Sequence, residues 1–88
     1  MKSLQGYRSQ IEKIDASLLG LLQKRMEVSR AIGKLKKQEG AMIQDRKREQ
    51  EIMKDVISYA NMRGLTVDFV QSLWRRILQE SRRVQRND

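Results

Sequence analysis

Residues 4–38, LQGYRSQIEKIDASLLGLLQKRMEVSRAIGKLKKQ, decide the fold. Leu4, Tyr7, Ile11, Ile14, Leu18, Leu21, Arg25, Val28, Ile32 and Leu35 recur at alternating spacings of three and four, the signature of a helix with one apolar seam. The spacing predicts a helix from about Ser3 to Gln38, about 54 Å long at 1.5 Å per residue. A compact globule of 88 residues has a radius of gyration of about 12 Å and a diameter of roughly 30 Å. The helix therefore overhangs its own domain, and its distal seam calls for apolar cover from another chain. An intertwined helical homodimer is the expected arrangement.

Downstream the pattern resets twice. Gly40 ends the first helix, and Asp45 is a natural N-cap for a second whose apolar positions are Ile52, Met53, Val56, Ile57 and Ala60. Gly64 reads as its stop. Thr66 then caps a third helix with Asp68 in the first turn and Val70, Leu73, Trp74, Ile77, Leu78 and Val84 facing inward, and Arg86 to Asp88 are expected to fray. The fold class is all-α, three helices per chain, with residues 1–88 as a single domain. The absence of Pro and a count of only five Gly agree with that reading.

Composition narrows the chemistry. Nineteen basic against eleven acidic side chains give a net charge of +8, which points to an anionic partner. There is no Cys and no His, so thiolate chemistry, disulfides and the usual proton shuttle are excluded. No apolar run approaches the length of a membrane span or a signal-peptide core, and a soluble cytoplasmic protein with no membrane partner is expected.

The informative residues are polar ones on apolar stripes. Arg25 interrupts the seam, and Lys36, eleven residues later, returns to within about 20° of the same face some 16 Å along the axis. Arg48 and Glu49 precede Ile52 and Met53 by one turn, and Ser81 and Gln85 continue the line of Val70, Trp74, Ile77 and Leu78. Each has an ordinary alternative: Asp45 as a simple cap, Arg48 and Glu49 as solvated first-turn charges, Ser81 bonded to its own helix, Arg25 as a register device. Taken together they form an inward-facing cationic cluster, which needs compensating negative charge. One Glu is not enough, and a bound dianion is the economical supplier.

At Arg8, Arg25, Lys36, Asp45, Arg48, Glu49, Ser81 and Gln85 the chain resembles the all-helical chorismate mutases of bacteria, in register from about Leu4 to Gln85. It departs from common members in the proline-free loop EGAMIQ, residues 39–44, and in Arg82, where an apolar residue is frequent. The resemblance implies an interlocked dimer that rearranges chorismate to prephenate on the way to Phe and Tyr, with no metal and no cofactor. It further implies that Arg25 and the Arg8 of a second chain clamp the carboxylates, and that Lys36 and Gln85 donate to the ether oxygen. Glu49 and the backbone near Asp45 would hold the ring hydroxyl, and Arg48 and Ser81 would complete the carboxylate and ring contacts. Arg8 and Arg25 lie seventeen residues apart, about 26 Å along one helix, so they serve one small ligand only from different chains.

Three rivals remain open on sequence grounds, one of them a purely structural coiled-coil dimer, which the seam of the first helix alone would fit. A lyase on the same fold that removes pyruvate from isochorismate has a similarly cationic site. A basic helical dimer binding nucleic acid could be built on RRILQESRRVQR, residues 75–86, but one Phe, two Tyr and one Trp provide few stacking platforms, and no nucleic-acid partner is expected.

Overall fold

The structure, a computed structural model, describes residues 3–87, and these form three helices with no strand among them: α1 (Leu4–Glu39), α2 (Arg46–Met62) and α3 (Val67–Asn87). The ends of α1 and α2 have local causes. The Ser3 hydroxyl accepts from the Gly6 amide at 3.0 Å and opens α1. At its far end Gly40 adopts φ +69°, the Gly40 amide donates to the Lys37 carbonyl and the Ala41 amide to that of Lys36, a Schellman closure that only a residue tolerant of positive φ makes cheaply. Gly64, at φ +68°, ends α2 in the same way, with Leu65 bonded back to Ala60. The Asp45 carboxylate accepts from the Arg48 amide at 3.0 Å, so the expected cap of α2 is present. The Thr66 carbonyl accepts from the Val70 amide at the start of α3. At the other end α3 runs on through Asn87, so Arg86 is helical rather than frayed, while Asp88 lies outside the described residues.

α3 is the central element. It packs against both α1 and α2, which do not pack on each other. Val56 and Ala60 of α2 meet Val70 of α3, with Ile52, Val67 and Trp74 around them, and Ile77, Leu78 and Val84 are also buried along α3. Leu73, expected to face inward, is instead 42% exposed, because it lies on the flank of α3 that neither neighbour covers. The chain measures 58 × 25 × 15 Å with a radius of gyration of 16.3 Å, well above the value of a compact chain of its length. The excess is the free N-terminal part of α1: Tyr7, Ile11, Ile14, Leu18 and Leu21 are all exposed within one chain. No helix among the described residues is long and apolar enough to cross a membrane.

α1 and α3 cross at Gly33. A Cβ built there would lie 2.7 Å from the Cα and 2.8 Å from the carbonyl oxygen of Gln85, contacts with backbone that cannot rotate away. Gly33→Ala is therefore expected to lower the thermal midpoint: overpacking of this kind costs roughly 1–3 kcal/mol, and the clash with backbone places it above the gain of about 1 kcal/mol from replacing a mid-helix glycine. Thermal unfolding followed by far-UV circular dichroism reads the balance. A midpoint at or above that of the parent would mean that the helices separate freely here.

Candidate active site

The close crossing at Gly33 lets side chains from all three helices meet in one cavity of about 360 Å³. Seven of the eight residues singled out in the sequence line it: Arg25, Lys36, Asp45, Arg48, Glu49, Ser81 and Gln85. Arg8 does not. It is exposed near the N-terminal end of α1, seventeen residues before Arg25.

Arg25 is held from behind. Its Nη1 donates to the Ser81 hydroxyl at 2.5 Å, and that hydroxyl shares a further hydrogen bond of 3.0 Å with Ser29, one turn on from Arg25 along α1. Burial lowers the Arg25 pKa from its ordinary value, which starts so far above neutrality that the guanidinium stays charged. Ser81 is buried, with its hydroxyl already engaged by these two α1 side chains, so its immediate role is to orient Arg25.

Lys36 is placed by the C-terminal turn of α1. Its ammonium donates to the Ile43 carbonyl at 2.7 Å and to Oε1 of Gln85 at 3.3 Å, which ties the α1–α2 loop to α3. An ammonium carries three N–H groups, so one is left over for a ligand. With Oε1 of Gln85 turned to Lys36, the Gln85 amide nitrogen is also left as a donor. Two donors of different charge therefore adjoin each other on a cavity wall whose main-chain position is fixed by the Gly33 contact.

The α2 side is less uniform. Glu49 is half-buried and paired with Arg82, Nη1 to Oε1 at 2.6 Å. Arg48 was expected to extend the buried stripe, but its side chain is 61% exposed and its near partner is Glu51 at 3.4 Å. It stands in the first turn of α2, at the cavity rim, where no neighbouring helix covers it. An exposed pair of this kind contributes little to stability, so Arg48 is free to turn to a ligand. Ser29, Gly33 and the Ile43 carbonyl were not recognised from sequence as parts of this constellation; the one available signal was the four-residue spacing of Arg25 and Ser29. Arg82 stood out in the sequence only as a departure from a pattern.

In charge the lining sums simply. Arg25, Lys36, Arg48 and Arg82 face Asp45 and Glu49, leaving an excess of two positive charges around a cavity otherwise walled by Val28, Ile32, Ile52 and Leu78. The arrangement can bind a small dianion with an apolar body, and it can direct hydrogen bonds at one point on it.

Known proteins resemble this chain in sequence and in fold. The sequence pattern of the family described as chorismate mutase type II matches residues 7–86. The T-protein of Haemophilus influenzae is 32% identical over 81 residues, 92% of this chain and 22% of that protein. The T-protein of Enterobacter agglomerans is 32% identical over 78 residues, 89% of this chain and 21% of its own length. The chain thus spans about a fifth of the length of these relatives. Among solved structures, a conserved hypothetical protein from Pyrococcus furiosus is 36% identical, covers 97% of each chain and superposes with a TM-score of 0.74.

Proposed function

The chain belongs to the chorismate mutase type II family, and from that premise we propose that it rearranges chorismate to prephenate, in the supply of Phe and Tyr. The observation that carries the reading is the cavity lining itself: two net positive charges, an apolar wall, and two hydrogen-bond donors side by side at Lys36 and Gln85. The reaction is a pericyclic shift within one molecule. A carbon–oxygen ether bond breaks as a carbon–carbon bond forms, and no nucleophile or proton transfer intervenes. It needs the substrate held in a compact reactive conformer and stabilisation of negative charge growing on the ether oxygen.

Each residue has a part in this. Arg25, braced by Ser81 and Ser29, presents its guanidinium to a carboxylate in the bidentate geometry that suits it. Lys36 and Gln85 donate to the ether oxygen. Glu49 accepts from the ring hydroxyl beside the backbone near Asp45, and Arg48 closes over a carboxylate from the rim. The second carboxylate is met by Arg8 of a second chain. Support for that assembly is the apolar surface one chain leaves uncovered: the seam from Tyr7 to Leu21, and a separate apolar hollow of about 500 Å³ bordered by Leu18, Leu65, Phe69 and Leu73. In a homodimer each α1 lays its free half on the partner, and each cavity gains one more cation.

Offering chorismate and isochorismate separately and identifying the products tests the reaction. Prephenate from the first is expected; pyruvate release from isochorismate with no prephenate from chorismate would replace the mutase by the lyase.

A pH profile tests Gln85. The amide does not titrate, so the parent should need no acid. Gln85→Glu donates only when protonated, and the neighbouring Lys36 ammonium favours the ionised form of a carboxylate placed there. The variant should therefore be weak at neutral pH and gain activity as pH falls, by about tenfold per unit until the carboxyl is mostly protonated. A profile and rate like the parent's would put Gln85 outside the site.

A further inference from the structure

Glu49 and Arg82 border two cavities at once. One is the 360 Å³ site cavity; the other, of about 500 Å³, opens on the far side and is lined by Gln44, Arg46, Gln50 and Arg75 among others. Their ion pair, together with Leu78, thus forms the partition between the two. It joins the first turn of α2 to α3 across 33 positions of sequence, at 2.6 Å, with each side chain only 23% exposed. Arg46 and Arg75 lie beyond it, so an unanchored Glu49 would have other cations to turn to. Arg82 fixes one carboxylate oxygen, Oε1, and the other oxygen has no protein partner among the described residues. A carboxylate pinned at one oxygen by a planar guanidinium has its remaining acceptor directed, whereas a free Glu side chain does not.

We infer that Arg82 is a positioning residue: it holds Glu49 so that the second carboxylate oxygen meets the substrate's hydroxyl, and it seals the site cavity from the outer one. The inference rests on the proposed reaction for the identity of that hydroxyl. In this role Arg82 acts through Glu49.

The test is a double-mutant cycle on kcat/KM for chorismate, with Arg82→Ala, Glu49→Ala and the double variant, each checked for helicity. Arg82→Ala is expected to lose about tenfold or more, and the double variant to be no worse than the poorer single, since two groups acting as a unit do not add. Arg82→Lys should recover most of the loss. Arg82→Met, which keeps the covering stem without the charge, should not. With a substrate analogue lacking the ring hydroxyl, the parent and Arg82→Ala should perform alike. Losses that multiply in the double variant, an equal penalty with the analogue, or full activity in Arg82→Met would each overturn the inference. If the parent forms no prephenate, the reaction is wrong, and the same cycle is then read by calorimetry with a bicyclic hydroxy-dicarboxylate shaped like the transition state. Coupled losses of affinity there would uphold the positioning role, and independent losses or no binding to the parent would end it.

Discussion

Lys36→Ala is expected to lower kcat/KM by about 10²–10³-fold, the range seen when one preorganised donor to a developing oxyanion is removed. The expectation follows from what the ammonium does in the free protein. Two of its three N–H groups are committed, to the Ile43 carbonyl and to Gln85, so the third is aimed rather than mobile. Its charge adjoins the neutral Gln85 donor, and in the proposed reaction negative charge grows at that point only as the ether bond breaks. The loss should therefore fall mainly on kcat, with a smaller rise in KM from the lost attraction for a dianion. The same substitution frees the α1–α2 loop, so a folding contribution must be separated from the chemical one. Far-UV circular dichroism and thermal unfolding do that: α1 ends on its own Gly40 closure, which uses main-chain groups and survives removal of the side chain. Near-parental turnover would remove Lys36 from the reaction, and a collapse of helicity would make its role structural.

What could be read from the sequence divides along a physical line. The helix ends at Gly40 and Gly64 and the Asp45 cap were legible because each is decided within a few residues, by positive φ or by a side chain reaching its own helix. Arg25, Lys36, Ser81 and Gln85 were legible because a polar side chain on an apolar stripe contradicts its surroundings. Ser29 and Gly33 contradict nothing. A small residue fits either face of a helix, and their importance appears only when α3 arrives: Ser29 as a partner of Ser81, Gly33 as the point where α1 can approach the Gln85 backbone. Arg48 shows the opposite failure. Periodicity placed it on a buried face, but its side chain is 61% exposed while Glu49 beside it reaches Arg82 of α3, and the helical phase alone carries no information about where a covering helix lies. Arg82 was visible as a misfit, and its meaning required the distance to Glu49.

Arg8 poses the remaining question, since it matches the resemblance yet stands far from the cavity of its own chain. If each site draws Arg25 from one chain and Arg8 from the other, Arg8→Ala and Arg25→Ala homodimers should both be nearly inactive, because every site in them lacks half of the carboxylate clamp. A heterodimer of the two variants gathers both lesions into one site and leaves the other intact. Random reassortment makes half of the dimers mixed, and each mixed dimer has one good site of two, so refolding equal amounts together should restore about one quarter of the parental activity per protein. The change is from near zero to a value fixed by counting alone. Were both arginines to serve a site within one chain, each site of a mixed dimer would still carry one lesion and mixing would restore nothing. Differently tagged chains report whether heterodimers have formed, and sedimentation at micromolar concentration reports whether the protein is a dimer at all. Tagged heterodimers without recovered activity would reject the shared clamp, and a stable monomer with full turnover would reject the dimer along with it.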